Sequence, residues 1–385
     1  MQHRISGLRA TVLAALVASA SAHAATFTTV HLFNGTDGAG ANEMIENLST
    51  HMLFGTTQGG GAHFSNGTVF KMTKAGALTT LYSFDGTTGG RPTGALVDGG
   101  DGYYYGTTTI AGSLNGGTAF KITPAGVLTY IHQFGGSPGP SLPIGLVSGN
   151  DGNLYGVSVF GGTAGYGSIF RMSKTGVVTT LHSFTGADGA SPENALSITS
   201  GNGIYYGTAM SGGANGCGTF FKITNAGDFT LLYSFPKTAP GGCQPEGRLV
   251  TGAGATAETF YGTTQTGGAN GKGTVFSITT AGVPTWLHSF AGTTDGALPH
   301  GGVTMGNNFW FYGATGSGGA NNVGTTFKIS QAGVFSVLHT LNPAMPGETT
   351  GPSTPWMLDS VGNFYGSTPG YSSSTNGGSI FRQTP

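Results

Sequence analysis

The chain has 385 residues, of which 73 are glycine and only 8% are charged. Its 14 basic and 15 acidic residues give a formal net charge of −1, and the basic residues form no run. This excludes a basic stripe for nucleic acid and a polybasic patch for membranes. Glycine recurs without the three-residue period of collagen, so the composition favours a globular protein rich in turns.

The N-terminal residues have the pattern of an export signal. Arg4 and Arg9 form a basic start, an apolar run covers 10–20, and residues 22–24, Ala-His-Ala, match a small-x-small cleavage site. The run is too short to span a bilayer. We expect a Sec-type signal peptide at 1–24, cleaved near Ala24. The mature chain, 25–385, is expected to be secreted or periplasmic and to contain no membrane span.

The rest of the chain carries one internal repeat with a period of about fifty residues. A Gly-Thr/Ser-x-Phe step recurs with its phenylalanine at positions 70, 120, 170, 221, 276, 327 and 381. An aromatic-Gly step recurs with its aromatic residue at positions 54, 105, 155, 206, 261, 312 and 365. A repeat of this length is one supersecondary unit, which buries its apolar faces only against its neighbours.

One unit, residues 117–162, predicts four short strands. Residues 117–122, 127–134, 144–147 and 153–158 alternate in polarity or form short apolar runs, and we call them strands one to four. Turn sequences rich in glycine and asparagine separate them. Four antiparallel strands repeated around an axis are typical of the blade of a β-propeller.

The two ends of the chain predict a closed ring. Residues 26–33 match strand two, whereas residues 378–382 match a lone strand one. The last strand therefore supplies what the first unit lacks, and this pairing removes exposed sheet edges. We predict an all-β, seven-bladed β-propeller of four-stranded antiparallel blades. One blade is closed by both termini, and residues 25–385 form a single domain.

The recurring aromatic and histidine residues are interpreted as structural. The aromatic residues of strands one and four are expected to form the core between blades, with a stacking platform for bases or sugars as the alternative. Strand two carries histidine at positions 31, 132, 182, 288 and 339. Equivalent residues of adjacent blades lie roughly 10 Å apart or more, too far for shared metal ligands. We expect these histidines to form cross-strand hydrogen bonds, and we expect no metal and no other cofactor.

Six basic residues share the position that follows the strand-one phenylalanine: Lys71, Lys121, Arg171, Lys222, Lys328 and Arg382. With strand one taken as the innermost strand, these residues form a ring at one mouth of the central channel and attract an anionic ligand. The alternative is that each extends into solvent or pairs locally, which like-charge repulsion favours.

The two cysteines are expected to form a disulfide. Cys217 precedes strand one of its repeat, and Cys243 lies between strands two and three. Both connections emerge at the same end of a four-stranded meander, so a bridge is geometrically possible. An even cysteine count in an exported protein favours that pairing over a nucleophilic thiol.

No catalytic signature occurs in the chain. Glu43 and Glu46 are the only close pair of glutamates. His300, Arg91 and Glu193 lie in connections between strands two and three and are the other candidates. Two carboxylates from different blades would suit glycoside hydrolysis if the fold brought them together.

The combination of motifs resembles the GloVer tandem repeat over essentially all of residues 25–385. Residues 67–108 carry Gly-Thr-Val-Phe-Lys-Met, Leu-Tyr-Ser-Phe-Asp-Gly and Tyr-Gly-Thr-Thr in the order of that repeat. The resemblance implies an exported bacterial repeat protein of a family without an established activity. Many members carry a C-terminal surface anchor. This chain stops at Pro385 without such a tail, so we expect release or periplasmic residence.

These observations favour a non-enzymatic binding scaffold for a glycan, a peptide or a cell-surface polymer, because loops on a rigid ring vary while catalytic motifs are lacking. A carbohydrate-active hydrolase or lyase is the first alternative, and it requires convergent acidic or histidine groups in one pocket. A structural envelope protein is the second alternative. We expect a monomer.

Overall fold

The computed structural model describes residues 25–63, 65–135, 138–198, 202–254, 258–348, 350–352, 354–370 and 377–385. In these ranges the regular structure consists of β-strands and no helix occurs. The expected signal peptide, residues 1–24, lies outside the described residues.

The strands form seven antiparallel sheets, which are the blades of a ring. Blade 1 contains β2 (Ala39–Ala41), β3 (Ile45–Glu46), β4 (Leu53–Gly59), β5 (Thr68–Met72) and β6 (Leu78–Ser83). Blade 2 contains β7 (Gly90–Asp98), β8 (Tyr104–Ile110), β9 (Thr118–Ile122) and β10 (Leu128–Gln133). Blade 3 contains β11 (Pro140–Ser148), β12 (Leu154–Gly161), β13 (Ser168–Met172) and β14 (Val178–Ser183), and blade 4 contains β15 (Ser197–Ile198), β16 (Ile204–Ala209), β17 (Thr219–Thr224) and β18 (Phe229–Ser234). Blade 5 contains β19 (Gly242–Thr251), β20 (Thr259–Gly267), β21 (Thr274–Thr279) and β22 (Pro284–Ser289). Blade 6 contains β23 (Val303–Met305), β24 (Phe311–Ala314), β25 (Thr325–Ile329) and β26 (Phe335–Thr340). Blade 7 contains β27 (Met357–Leu358), β28 (Phe364–Thr368), β29 (Ser379–Gln383) and β1 (Phe27–Leu32).

The predicted closure by both termini is confirmed. β1 is the outermost strand of blade 7 and pairs antiparallel with β29, from Phe27 opposite Gln383 to Leu32 opposite Ser379. The N-terminal strand therefore completes a sheet whose other three strands come from the C-terminal end of the chain. The ring closes through the same backbone ladder that holds every other blade together.

The expectation that strand one is innermost is wrong. In each sheet the innermost strand corresponds to strand three, and strands four, one and two follow outwards, as in the order β7-β8-β9-β10. The reason is that a circular repeat has no natural first strand. The Gly-Thr/Ser-x-Phe step lies on the third strand from the axis. The repeat gives the order of the strands along the chain, but it does not show which strand lies at the axis.

The aromatic residues pack between blades, as predicted. All seven strand-one phenylalanines have no exposed surface, and the strand-four aromatics are at most 6% exposed. An aromatic ring at the end of an outermost strand contacts the strand-one phenylalanine of the next blade, with ring centroids 5.2 to 6.0 Å apart and the rings steeply inclined. The pairs are Phe33–Phe70, Phe84–Phe120, Phe134–Phe170, Phe184–Phe221, Phe235–Phe276 and Phe290–Phe327.

The glycine of the aromatic-Gly step is explained by this packing. A Cβ atom on Gly106 would lie 2.5 Å from the ring of Phe120, and one on Gly156 would lie 2.6 Å from the ring of Phe170. The phenylalanine therefore lies directly on the backbone of the neighbouring strand. Any larger residue at the glycine would displace it from the core.

The histidines of strand two make hydrogen bonds, but their partners differ from the expected ones. Four of them contact a carboxylate in the connection that follows, at N–O distances of 2.8 to 3.1 Å. The pairs are His31–Asp37, His182–Asp188, His288–Asp295 and His339–Glu348. The Asp-Gly steps at 37, 188 and 295 therefore also hold the outer strand to the connection leading to the next blade.

Cys217 and Cys243 form the predicted disulfide, with their Cα atoms 4.6 Å apart. The bridge joins two blades instead of stapling one. Cys217 lies two residues before β17 of blade 4, whereas Cys243 lies in β19, the innermost strand of blade 5. The difference follows from the corrected strand order, because strand three belongs to the blade that follows strand two.

A buried charge network crosses the junction between blades 7 and 1. Lys74 Nζ lies 2.7 Å from Glu46 Oε1 and 3.1 Å from Asp359 Oδ2, and the backbone amide of Ser360 donates to Glu46 at 2.6 Å. Both carboxylates are almost fully buried. Burial raises the pKa of Glu46, but hydrogen bonds from Lys74, His51 and Ser360 outweigh it and lower that pKa to about 2.

We predict that Glu46 makes the free energy of unfolding sensitive to acid. Its folded pKa is depressed from 4.5 to about 2, so its contribution is complete above pH 4.5 and is lost as the pH falls towards 2. We expect Glu46→Gln to lower the free energy of unfolding at pH 7 by roughly 1 to 3 kcal/mol and to flatten its dependence on pH below 4.5. Denaturant titration at several pH values measures both, with Asp98→Asn, an exposed carboxylate near the same end of the channel, as the control. An unchanged pH slope would contradict the assignment.

Candidate functional site

The innermost strands of all seven blades surround a central channel. Two cavities lie along it, of about 820 Å³ and about 200 Å³. The large cavity opens where the innermost strands end, near Glu46, Asp98 and Asp359, and we call this opening the wide mouth. The small cavity opens where these strands begin, near Asn42, Glu193 and Glu246, and we call this opening the narrow mouth.

An ion pair lies between the two cavities. Arg248 Nη2 in blade 5 donates to Glu43 Oε1 in blade 1 at 3.3 Å. Blades 6 and 7 separate these two blades on one side of the ring and blades 2 to 4 on the other, so the pair reaches across the channel. Both residues line both cavities. The pair therefore divides an apolar compartment from a polar one.

The wide mouth is mainly aliphatic. Its walls include Leu96, Leu146, Leu249 and Met305, with polar groups concentrated at the rim. Trp356 is the aromatic residue among the described lining residues, and it is only 3% exposed. This compartment therefore presents no open aromatic face to a ligand.

The narrow mouth is built from one structural position repeated around the ring. A buried proline begins the approach to the innermost strand at positions 92, 143, 192, 245, 299 and 352, and Ala41 takes its place in blade 1. The next residue points towards the mouth or its rim. In blades 1 to 6 these residues are Asn42, Thr93, Ile144, Glu193, Glu246 and His300. Three consecutive blades, 4 to 6, thus place ionisable side chains side by side.

Glu246 and His300 form a charge-assisted pair. His300 Nδ1 lies 3.0 Å from Glu246 Oε2, and both side chains are about one-fifth to one-quarter exposed. The hydrogen bond that the His300 ring donates to Glu246 raises the pKa of His300, and burial opposes it only in part. Glu246 therefore favours the protonated imidazolium.

Glu193, on the other side of Glu246, lacks such a partner. It makes no hydrogen bond and no ion pair with any residue in the described ranges. Burial, followed by the negative charge of Glu246, raises the pKa of Glu193. Two neighbouring carboxylates therefore differ, because Glu246 pairs with His300, whereas burial and the charge of Glu246 disfavour the charged form of Glu193.

Two asparagines at this mouth differ in the same way. Asn42 Nδ2 donates to Thr56 Oγ1 and to the carbonyl of Pro92, both at 2.8 Å, so its amide is satisfied. Asn194 Oδ1 accepts from the backbone amide of Gly247 at 2.8 Å, whereas its Nδ2 atom is buried and has no partner among the described residues. Asn194 is a lining residue of the small cavity, but its Nδ2 atom has almost no exposed surface.

The six basic residues of strand one do not line either cavity. Each pairs in register with the aromatic residue of strand four, as Lys121 does with Tyr105 and Lys328 with Tyr312. Lys121 also lies over the ring of Tyr103, 4.5 Å from its centroid. Because strand one is third from the axis, Lys71, Lys121, Arg171, Lys222, Lys328 and Arg382 lie away from the channel mouths. A ligand-binding role for them stays a prediction.

The other sequence candidates divide between the mouths. Glu43, Glu193 and His300 come together at the narrow mouth, whereas Glu46 belongs to the buried network at the wide mouth. Arg91 lines neither cavity. In the ranges that the structure describes, no three His, Cys, Asp or Glu residues are arranged to hold a metal ion.

Sequence reasoning missed Glu246, Arg248 and Asn194. A signal for them existed, because Pro-Glu at 192–193, Pro-Glu at 245–246 and Pro-His at 299–300 occupy the same place in three successive repeats. Equivalent places in a ring lie side by side around its axis. Alignment of the repeats on this proline, instead of on the strand-one phenylalanine, would have identified the arc.

We predict that removing the charge of Glu193 stabilises the fold, and that the size of this effect depends on pH. A folded pKa above 4.5 means that stability is complete below pH 4.5 and declines as the pH rises through the folded pKa. We expect Glu193→Gln to melt at a higher temperature than the wild type at pH 7 and at the same temperature below pH 4.5. Glu43→Gln removes a paired carboxylate from the same cavity and should not raise the melting temperature. Equal behaviour of the two variants would contradict this account.

His300 predicts a raised titration midpoint. Its folded pKa lies above 6.5, so the Glu246 contact stabilises the fold below pH 6.5 and this stabilisation is lost as the pH rises through the folded pKa. Histidine resonances followed by NMR should place His300 above 6.5, whereas burial lowers the pKa of His288 below that value. Glu246→Gln should move the His300 midpoint downwards and leave His288 in place. A His300 midpoint that is independent of Glu246 would refute the pairing.

Comparison with solved structures shows the fold alone. A gluconolactonase from Xanthomonas campestris has 11% identity and a TM-score of 0.44, covering 82% of this chain and 89% of its own. A putative 6-phosphogluconolactonase from Bacteroides uniformis has 13% identity and a TM-score of 0.51, covering 77% of this chain and 83% of its own. None of the curated proteins matches the sequence.

The sequence family is established by a repeat model. The model of the Gloeobacter/Verrucomicrobia repeat matches residues 15–148, 127–256 and 196–385, which together cover nearly the whole chain. The match agrees with the resemblance carried by the Phe and aromatic-Gly steps, and the blades of the ring are the structural form of that repeat. This chain belongs to the Gloeobacter/Verrucomicrobia repeat family.

Proposed function

We propose that this chain is an exported binding protein that holds a glycan residue at the narrow mouth of its channel. The observation that carries the proposal is the arc of Glu193, Glu246 and His300 on three consecutive blades. Arg248, which is paired with Glu43, lines the same cavity. These groups sit at or next to innermost strands packed inside a rigid ring, which suits recognition by fixed hydrogen bonds.

The chemistry of the mouth favours a hydroxyl-rich ligand over a peptide or another surface polymer. Sugar hydroxyls both donate and accept, and the mouth offers carboxylate acceptors together with guanidinium and amide donors. Ile144 and Pro355 supply apolar surface for the C–H face of a sugar ring. At about 200 Å³ the cavity is smaller than the roughly 300 to 1,000 Å³ of sites for drug-sized ligands, which suits one terminal sugar residue.

Export is part of the proposal and rests on the leader pattern of residues 1–24. In the part of the chain that the structure describes, no helix is long and apolar enough to cross a bilayer. Mass spectrometry of the exported protein should find Ala25 as the first residue.

A steric test locates the site. Residues 25–385 are screened on a glycan array, and the ligands found are titrated by calorimetry. Ile144→Trp fills the narrow mouth, and its matched control, Ile198→Trp, places the same ring at the wide mouth, where Ile198 is 40% exposed. We expect Ile144→Trp to weaken binding by at least about tenfold, because the cavity has no room for both groups, and we expect Ile198→Trp to bind like the wild type.

Three outcomes would overturn the proposal. Absence of any glycan binding would reject it, and equal effects of the two tryptophan variants would move the site away from the narrow mouth. New reducing ends after incubation with a bound oligosaccharide would replace binding by hydrolysis. The neighbouring carboxylates Glu193 and Glu246, with their different environments, are the groups that such a reaction would use.

A further inference from the structure

We propose that the wide mouth is a second binding site, which holds a single aliphatic chain with a cationic head group at the rim. The proposal is independent of the glycan site, because it concerns the other end of the channel and other residues. Two observations carry it. Accessible aliphatic side chains from six blades line the mouth, and carboxylates outnumber cations at its rim.

The last two residues of each innermost strand build the wide mouth. Register with strand four places Ile45, Val97 and Val250 at one level, each opposite the strand-four aromatic residue of its blade. The residues that follow form the rim, with Asp98 in blade 2 and Ile198 in blade 4. Because the blades repeat around the axis, each level is a ring of side chains.

Aliphatic side chains at these two levels are accessible to a ligand. Ile198 is 40% exposed, and five others are partly exposed: Ile45, Val97, Val250, Met305 and Leu358. They come from six of the seven blades, so accessible apolar surface surrounds the mouth. The cavity of about 820 Å³ lies within the roughly 300 to 1,000 Å³ that is usual for small-molecule sites.

The walls of this cavity suit a flexible chain better than a flat ring system. Trp356, the aromatic residue among the described lining residues, is only 3% exposed, so it offers a ligand no face for stacking. The pair of Arg248 and Glu43 bounds the cavity on the side of the narrow mouth. A straight aliphatic chain therefore buries its surface along the wall and leaves one end at the rim.

Asp98 is the accessible carboxylate of this rim. It is exposed, and it makes no ion pair with any residue in the described ranges. Its Oδ1 atom accepts a hydrogen bond from the backbone amide of Gly100 at 2.8 Å. Lys174, which contacts the same hairpin, lies 3.8 Å from Asp101, so these two charges balance. Asp98 therefore retains its negative charge for a ligand.

The remaining charges of the wide mouth add to the negative field. Glu46 and Asp359 share the single ammonium group of Lys74, and both are too buried to touch a ligand. With Asp98, three carboxylates thus face one cation, whereas the pair of Arg248 and Glu43 is neutral. His51, which contacts Glu46, is mostly exposed to solvent. A mouth with apolar walls and an excess of negative charge attracts a cationic head group and repels an anionic one.

Three ligands with the same eight-carbon chain and different head groups test the inference. Octylammonium, 1-octanol and octanoate are titrated into residues 25–385 by calorimetry at pH 7 and low ionic strength. We expect octylammonium to bind about tenfold more tightly than octanol, and octanoate to bind more weakly than octanol, because the chains are equal and only the charge differs.

The length of the chain tests the apolar wall separately. Hexylammonium has the same head group and two fewer methylenes. We expect it to bind about tenfold more weakly than octylammonium, since each buried methylene contributes about three- to fourfold in affinity. Equal affinities for the two amines would place the ligand at the rim alone and overturn the proposed site.

A matched pair of charge variants assigns the head group to Asp98. Asp98→Asn should reduce the preference for octylammonium over octanol to less than about threefold and leave octanol binding unchanged. Asp228→Asn removes an exposed carboxylate that lies at the outer strand of blade 4, away from the channel, and should leave the preference unchanged. Thermal melting verifies that both variants are folded. An equal loss in the two variants would overturn the assignment, because the selectivity would then come from net charge.

The two tryptophan variants separate this site from the glycan site. Ile198→Trp fills the wide mouth and should weaken octylammonium at least about tenfold, whereas Ile144→Trp, at the narrow mouth, should bind it like the wild type. Absence of binding of all three octyl ligands, tighter binding of octanoate than of octylammonium, or a loss caused by Ile144→Trp would each overturn the inference. None of these outcomes affects the glycan proposal, and a failed glycan screen leaves the wide-mouth site as it is.

Discussion

The structure depends on one contact repeated around the ring, in which an aromatic ring at the end of six of the seven outer strands packs on the strand-one phenylalanine of the next blade. A four-stranded blade exposes two apolar faces, so it gains its stability only when neighbours cover both. The contact between Phe33 and Phe70 performs this task where blade 7 meets blade 1, with a centroid distance of 6.0 Å. Between blades 6 and 7, Leu341 stands at the equivalent position and is fully buried. Closure thus requires no special device beyond the repeated one.

This packing leaves the axis free to vary. The strand-four aromatics and the strand-one phenylalanines lie on the second and third strands from the axis, whereas the residues that follow the proline lie at the narrow mouth or its rim. The buried proline holds the backbone at that point, and the next side chain changes from Thr93 to Ile144 to Glu193 between successive blades. A site can therefore be assembled there one residue per blade, without disturbing the contacts between blades.

The sequence was sufficient to predict the closed ring because each end of the chain carries an incomplete blade. A lone strand two at 26–33 pairs with a lone strand one at 378–382. The sequence was insufficient for the radial order, because a circular repeat looks the same from any starting strand. That error moved Lys71 and its equivalents to the channel and hid Glu246 and Arg248. The disulfide was predicted as a pair, but its role as a link between blades depended on the same order.

The charged residues of the chain are concentrated along the channel. Only 8% of the residues are charged, yet Glu43, Glu46, Glu193, Glu246, Arg248 and Asp359 all line it. Charges in partly buried places are retained at a cost unless they are paired, and at the wide mouth Lys74 pairs both Glu46 and Asp359. The narrow mouth follows the same rule for Glu43 and Glu246 and breaks it at Glu193. Glu193, which lines the cavity where we propose that the ligand binds, is therefore the carboxylate of this mouth without a cationic partner among the described residues.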